Sequence, residues 1–484
     1  MSIIMQKGFK KATVILRLYN TATRRVEDFS PLDPSCIKMY TCGLTVYYYT
    51  HIGNLRAYTN SDILRRTLEY MGLQVKHVMN ITDVGHMTSD EDAGEDKLEV
   101  GAKREGKSPW EIARFYEAYF SQSIEKLNIL RPYIKCRATE HIKDMIELIV
   151  RLERRGLVYR TRVGVIFDTS KFSGYAKFAG LDLEGQQHGA RVEVDPERKN
   201  PWDFALWVTN QPNHIMQWAS PWGRGFPGWH VECSAMSMKY LGEEIDIHTG
   251  GIDHVRVHHT NEIAQSEGAT GKRFVRYWFH SHFMNVDRQK MSKSSGNLYT
   301  LDDITSYGFS PLALRYFFLG SSYRKSTNFT WQALGAAQAS LVRLWEKAVS
   351  LPFFSHECLP EYIASFNDAL MDDLNTARAL AVVIETANTS APAEKIAGTL
   401  LTMDRVLGLD LANGTHRLNE LKELQVSSSA NEQKALALVH KRDNLRQQKK
   451  YAEADAVRDE VIALGFVVED APEGTRLKPK GPKK

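Results

Sequence analysis

Hydrophobic positions change their period several times along the chain, and the changes divide it. Ile37 to Cys42 is a short apolar-rich run of the kind that forms a buried strand, and Gly43 opens a loop that ends at His51-Ile52-Gly53-Asn54. The following segment sets Ile63, Leu64, Thr67, Leu68 and Met71 on one helical face, with Gly72 where a C-terminal cap belongs. Gln74 to Ile81 then alternates and predicts a second strand. Strand, helix and strand with short connections make a βαβ unit. Its ligand crevice lies at the carboxyl ends of the strands, where Cys42 and Asn80 to Thr82 stand.

His86 to Ser108 is polar and predicts a solvated loop, acidic from Asp90 to Glu95, followed by an exposed helix. Pro109 to Leu130 and Ala138 to Arg155 have helical spacing, and Gly164 to Gln217 has the look of short strands and turns. Strand patterns resume at Glu244 to Gly251 and Arg276 to Val286. Thr330 to Leu424 is rich in Ala and Leu at helical spacing, Val426 to Ala430 has the composition of a linker, and Glu432 to Leu464 predicts two further helices stopped by Gly465. Phe466 to Glu469 predicts a short strand, and Leu477 to Lys484 a disordered basic tail.

The order implies an α/β fold with a Rossmann-type parallel sheet in two halves, 1–135 and 221–286, interrupted by a connective insertion at 136–220. A region at 287–330 leads to a helical bundle at 331–425, and a small C-terminal α/β domain occupies 431–484.

Composition narrows the picture only slightly. With 484 residues, 43% hydrophobic, the chain can bury several cores, which excludes disorder and collagen. Lys and Arg number 62 against 58 Asp and Glu, a net charge of +4 that suits a nucleic-acid partner or a metabolic enzyme equally. The 5 cysteines contain no Cys-x-x-Cys pair, which argues against a disulfide framework and predicts a reducing, cytoplasmic setting. No run approaches the roughly 18 apolar residues of a membrane span. Histidine is distributed less evenly. Of the 16, seven (His230, His248, His254, His258, His259, His280 and His282) fall between positions 230 and 282, as a metal or acid/base site would require.

Two motifs carry chemistry. His51-Ile52-Gly53-Asn54 sits where a strand gives way to a helix N-terminus, and Lys290-Met291-Ser292-Lys293-Ser294 follows a late strand. Unpaired helix N–H groups, an imidazole and ammonium groups can neutralise a triphosphate while a carboxylate attacks its α-phosphorus. A helix-capping histidine and a solvated Lys/Ser loop would be the plainer account of the same residues.

Together the motifs resemble the two signatures of class I aminoacyl-tRNA synthetases, and Asn54 in place of a histidine resembles the cysteinyl subgroup. Met39 to Gly43, Gly228 to Met236 and His258 to Ser266 are similar to segments of that family, and the resemblance runs from about Leu18 to Arg476. It departs from the usual pattern at Leu44 and Tyr48, where members carry Pro and Asp, at Gly85 and His86, where they carry paired aspartates, and at Val257 and Thr260, where they carry Pro and Glu.

His258 and Glu262 are four apart and share a helix face, and Cys42 and Cys233 lie near strand ends. On spacing alone this could be a tetrahedral zinc set or two core cysteines beside a surface histidine. The resemblance implies the first, with one Zn²⁺ per chain held by Cys42, Cys233, His258 and Glu262. Zinc has a reason to be there, since a soft metal separates a cysteine thiolate from serine far better than pocket shape does. Two thiolates and a carboxylate leave the ion with one net negative charge, and a substrate thiolate adds another. Glu262 is therefore expected to be the weakest ligand, shifting outward when cysteine binds, with imidazoles such as His248 offsetting the charge.

The resemblance further implies that His51, Asn54, Lys290 and Lys293 are catalytic, and that Thr45, Asn80, Thr82, Gly251, Asp253 and Lys293 contact ATP or the adenylate. Trp229 and His248 would line the amino-acid pocket. It assigns 287–330 to the lysine-motif loop and a tRNA stem contact, and 431–484, with Lys441, Arg442, Arg446, Lys449 and Lys450, to anticodon binding. The expected activity is ATP- and Mg²⁺-dependent attachment of L-cysteine to tRNA(Cys) by a monomer without an editing domain. A cysteine ligase acting on a small amine such as an amino sugar shares the catalytic chemistry, and a non-catalytic RNA-binding relative is the alternative from another class. The C-terminal domain, which small-amine ligases lack, favours tRNA.

Overall fold

The computed structural model describes residues 15–85, 96–180, 197–292, 296–352, 357–471 and 474–479. The acidic run Asp90 to Glu95 and Lys293 with Ser294 lie outside them. A hairpin, β1 (Arg17–Asn20) and β2 (Arg25–Asp28), precedes the first βαβ unit: β3 (Ile37–Thr41), α1 (Ile52–Tyr70) and β4 (Val75–Ile81). Helices α2 (Lys97–Glu105) and α3 (Pro109–Lys126) lead to β5 (Ile134–Arg137), and α4 (Ile142–Arg154) follows. An antiparallel sheet of β6 (Val158–Thr161), β7 (Gly164–Phe167), β8 (Phe204–Thr209) and β9 (Gly225–Pro227) then intervenes. The parallel pattern returns with α5 (Trp229–Leu241), β10 (Ile245–Gly251), α6 (His258–Thr270) and β11 (Val275–Ser281).

The central sheet has the order β11-β10-β3-β4-β5, all parallel. The order reverses between β3 and β10, so the chain's two halves meet where Thr41 pairs with Thr249. Helix α1 is buried on nearly every side, including Arg56, Thr59, Asn60, Ser61, Asp62, Arg66 and Thr67. It lies between the sheet and the helices beyond, so its polar residues bond inward. Arg315, fully buried, donates to Asp62 at 2.6 Å, and Arg66 donates to the same carboxylate at 2.8 Å. Gly72 ends α1 at a φ of +86°, which a side chain would strain.

After β11 come β12 (Met284–Val286), β13 (Gln289–Lys290), α7 (Leu301–Ser306), α8 (Pro311–Leu319) and β14 (Thr327–Phe329). The helices α9 (Trp331–Val349), α10 (Pro360–Met371), α11 (Thr376–Asn388) and α12 (Ala393–Leu407) share one apolar core with α1, α3 and α8. Then α13 (Gly414–Gln447) and α14 (Tyr451–Ala463) lead to the hairpin β15 (Phe466–Ala471) and β16 (Gly474–Pro479).

Three expectations are corrected. The linker expected at Val426 to Ala430 is helical, because α13 runs through it. Serine costs only about 0.5 kcal/mol in a helix, no Gly or Pro interrupts, and α13 backs onto the turn at Gly308, where a Cβ would meet Ser428 at 3.4 Å. The tail expected from Leu477 is strand as far as Pro479. Leu477 pairs with Val468 and packs on the small core of Ala435, Val439, Val461 and Phe466. The helix expected to be exposed, α2, buries Leu98 and Ala102, which are four apart, and its cap Asp96 is buried against His214 at 2.7 Å.

Candidate active site

Cys42 leaves the end of β3, with its N–H donating to Thr249 O at 3.0 Å. It meets Cys233 from α5 and His258 and Glu262 from the start of α6, all four buried. Cys42 Sγ lies 3.9 Å from Cys233 Sγ and 3.5 Å from His258 Nε2, and that nitrogen is 3.1 Å from Glu262 Oε1. A tetrahedron with Zn–S near 2.3 Å and Zn–N or Zn–O near 2.0–2.1 Å has edges of about 3.8, 3.6 and 3.3 Å for these three pairs. These three separations fit zinc, while Cys233 reaches the set through Cys42 and stands outside the group whose donor atoms all lie within 4.8 Å of one another.

His259 also belongs to the constellation. Among the described residues, donor atoms of Cys42, His258, His259 and Glu262 all lie within 4.8 Å of one another. Glu262 Oε1 and His259 Nε2, 3.8 Å apart, are buried without a hydrogen bond among the described residues, as donors to a metal would be. The surrounding imidazoles hold this set in place. His230 Nδ1 is 3.0 Å from His258 Nδ1, His248 Nε2 donates to Glu262 Oε2 at 2.9 Å, and His259 Nδ1 is 2.7 Å from His280 Nε2.

The electrostatics ready two of the four donors for a metal and hold a proton on the other two, Cys233 and His258, each of which would release it on binding one. The hydrogen bond from Cys233, backed by His254 and His258, holds the Cys42 thiol well below its ordinary pKa despite burial. The same contact, with burial, pushes Cys233 up. Burial disfavours charge on His258, but Cys42 and Glu262 lift its pKa to about 10. Burial also opposes ionisation of Glu262, and His248 and His258 outweigh it, bringing the carboxyl to about 2. A thiolate and a carboxylate are thus already in their ligating forms.

The two sequence motifs meet at the start of α1, where Gly53 approaches Met291. His51 caps α1: its Nδ1 accepts from Asn54 N–H at 3.3 Å while Asn54 Oδ1 accepts from His51 N–H at 3.4 Å. Asn54 therefore closes a capping box. Gly53 lets the second motif approach, since a Cβ there would stand 3.0 Å from the His51 ring and 3.3 Å from Met291 Sδ. Ile52 N–H donates to Tyr299 O at 2.8 Å, which ties the helix start to the end of the lysine loop. Lys290 is exposed on β13.

The other predicted residues divide between wall and mouth. Asn80 and Thr82 are buried in the wall, where Asn80 Oδ1 accepts from Gly43 N–H at 2.7 Å and its Nδ2 donates to Thr82 Oγ1 at 3.2 Å. Gly43 is required at this approach, because a Cβ would lie 1.6 Å from Asn80 O. Thr45 bridges Thr82. At the mouth, Gly251 ends β10, and the exposed Asp253 would crowd any Cβ placed there, with Oδ1 at 2.3 Å. Trp229 begins α5 with its ring 4.5 Å from that of His258.

A profile for the catalytic domain of class I (C) tRNA synthetases matches residues 28–339. The Treponema denticola cysteine–tRNA ligase is 44% identical over 483 residues, 94% of this chain and 98% of its own. The chain belongs to the cysteinyl-tRNA synthetase family. A second relative, cysteine–tRNA ligase 1 of Burkholderia lata, is 45% identical and covers 96% of each chain. The Thermus thermophilus cysteine–tRNA ligase is 40% identical over 96% of this chain and 99% of its own. Among solved structures, a Mycobacterium tuberculosis methionyl-tRNA synthetase bound to methionyl-adenylate shares the fold at a TM-score of 0.54 and 16% identity, over 81% of this chain and 93% of that one. The Agrobacterium radiobacter K84 LeuRS of a LeuRS-tRNA-LeuAMS ternary complex gives 0.58 at 12% identity, over 82% and 86%.

Two contributors were missed by sequence reasoning. His259 has a visible signal, its position beside His258, but nothing local shows that its ring turns to the same centre. Asn297 accepts from Ser292 N–H at 2.9 Å and donates to Lys290 O at 3.1 Å, and so laces the lysine loop. A Gly-Asn pair after serines gives no more than a turn signal.

Proposed function

We propose that the protein activates L-cysteine with ATP and Mg²⁺ and transfers the cysteinyl group to the terminal ribose of tRNA(Cys). Membership of the cysteinyl-tRNA synthetase family carries the substrate class, and one observation of geometry carries the choice of amino acid. A buried two-sulfur, imidazole and carboxylate cluster stands at the strand ends beside the loop that bears His51.

Cys42, Cys233, His258 and Glu262 would hold zinc, with His259 a further donor within 4.8 Å of Cys42, His258 and Glu262. Bound there, zinc supplies a soft Lewis acid that prefers the sulfur of cysteine to the oxygen of serine. His230 and His248 orient His258 and Glu262, and His248 and Trp229 close the amino-acid pocket. His248, already bonded to Glu262 Oε2, offers that carboxylate a partner if it shifts outward when a third sulfur arrives.

On the other side, His51, Asn54, Lys290 and Lys293 neutralise the charge that builds on the triphosphate as the cysteine carboxylate displaces pyrophosphate. For this, Asn54 exchanges its bond to the His51 backbone for one to phosphate. Gly251 and Asp253 receive the ribose, and Thr45, Asn80 and Thr82 shape the adenylate wall. The stem of the tRNA lies along 287–330 and its anticodon at 431–484. A cytoplasmic monomer suits these roles, and no described helix is long and apolar enough to cross a membrane. The small-amine ligase reading gains nothing from the relatives above, whose names are all cysteine–tRNA ligase and whose matches run nearly end to end.

ATP–pyrophosphate exchange tests the reading. Exchange should require cysteine and ignore serine, and bulk tRNA should become charged with cysteine alone. No exchange in a zinc-loaded sample would overturn the enzymatic reading.

A further inference from the structure

Helix α1 carries, two residues beyond Asn54, a cation that the roles above leave out. Arg56 is 1% exposed. Its buried neighbours in kind, Arg66 and Arg315, share the Asp62 carboxylate, but among the described residues no carboxylate pairs with Arg56. Burial brings its pKa from 12.5 down to about 10, so the guanidinium stays charged at neutral pH. A buried charge without a counter-ion is costly, and it persists only where dipoles take the partner's place.

Here the dipoles are main-chain carbonyls. Nη1 donates to His282 O at 2.6 Å and, at a longer 3.5 Å, to Phe283 O, while Nη2 donates to Ser322 O at 3.0 Å and Lys325 O at 2.9 Å. The four carbonyls belong to two segments that run side by side. His282 N–H donates to Tyr323 O at 2.8 Å, Thr327 N–H donates to Phe283 O at 3.2 Å, and β12 pairs with β14 from Met284 onward. The second segment is anchored to the α10–α11 turn, where Asp373 accepts from Tyr323 Oη at 2.6 Å and from Arg324 Nε at 2.5 Å. Asn285, two residues past Phe283, pairs with Lys290 across the β12–β13 turn. One planar fork thus ties the helix start that bears His51 and Asn54 to the base of the hairpin that bears Lys290. Asn60, one turn further along α1, adds a second tie, its Nδ2 donating to Ser281 Oγ at 2.7 Å.

We infer that Arg56 is a positioning residue for adenylate formation: it registers the Lys290 hairpin against the helix start of His51 and Asn54, so that both motifs meet the triphosphate together. The inference rests on the proposed activation of cysteine and adds which buried group aligns its two phosphate motifs. A shift of about 1 Å in such a support can cost roughly 10²-fold in rate without touching the reactants. Lysine keeps the charge but offers a single ammonium point where the fork spans two segments.

The variants R56K, R56M, K290A and R56K/K290A test it through cysteine-dependent ATP–pyrophosphate exchange, zinc analysis and circular dichroism. R56K should lower the kcat of exchange about tenfold, and R56M further, with KM for cysteine and zinc content within about twofold of the parent. Because Arg56 acts through the Lys290 hairpin, adding R56K to K290A should cost about threefold or less. Losses that multiply in full in the double variant would overturn the inference, and so would an unchanged kcat in R56K or a loss of zinc that parallels the loss of exchange. Where R56M fails to fold, R56K decides. A fold lost in both would also overturn it, since the whole domain and not the motif pair would then depend on the fork. A parent protein lacking cysteine-dependent exchange would instead overturn the activation that this alignment serves.

Discussion

The two halves of the catalytic centre are built on opposite plans. The cluster of Cys42, Cys233, His258 and Glu262 comes from three separate segments, is buried throughout, and is braced by imidazoles of β10, β11, α5 and α6. The proposed phosphate side is a helix N-terminus facing a loop, with Lys290 in solvent and Asn54 bonded within its own helix cap. Selecting one soft atom needs donors fixed before the substrate arrives, in a place that excludes water. Binding a triphosphate and then releasing pyrophosphate needs groups that can close and withdraw. The rigid half should therefore fail abruptly when altered, and the adaptable half by degrees.

The largest effect is expected in the rigid half. Cys42→Ser or Cys233→Ser should lower cysteine-dependent exchange by ~10³-fold or more and remove the metal, as read by exchange kinetics and zinc analysis on one sample. His259→Gln sharpens the point. If it loses zinc while Cys233→Ser retains both zinc and activity, the ligand set is Cys42, His258, His259 and Glu262 instead. On the adaptable side, Lys290→Ala should reduce the exchange rate by roughly 10²-fold while leaving zinc content unchanged. A parallel loss of metal would show that the two halves are not separable. Next comes the bracing shell: His230→Gln should weaken zinc affinity by about 10- to 100-fold in a chelator competition, with the fold intact by circular dichroism.

The smallest effect lies at the end of β4. Burial pushes the Asp83 carboxyl from 3.8 up to about 6, against the hydrogen bonds donated by Thr139. The folded form then holds its proton more tightly than the unfolded form, so Asp83 stabilises below about pH 4, and that contribution is lost as pH rises through about 6. Asp83→Asn should flatten the fall of urea midpoint across this range. An unchanged slope would place the titration elsewhere.

These regions also differed in how far the sequence revealed them. The βαβ unit was legible because β3, α1 and β4 each keep one period between clear stops at Gly43 and Gly72. In the cluster only His258 and Glu262 are near neighbours, so spacing left it open, and it took a resemblance to bring Cys42 and Cys233 to the same place. Composition misled where tertiary contacts decide, as at Ser427 to Ser429, which lie within α13, and Leu477, which covers a small core. The polar face of α1 gave no warning of burial, because its partners Arg315 and Asn128 are distant in the chain.

Zinc-edge X-ray absorption with and without L-cysteine bears most directly on the claim that this cluster selects the amino acid through a metal. The ligand-free protein should show two sulfur neighbours near 2.3 Å, rising to three with cysteine and staying at two with serine. A zinc site without sulfur, or a sulfur count that cysteine leaves unchanged, would contradict it.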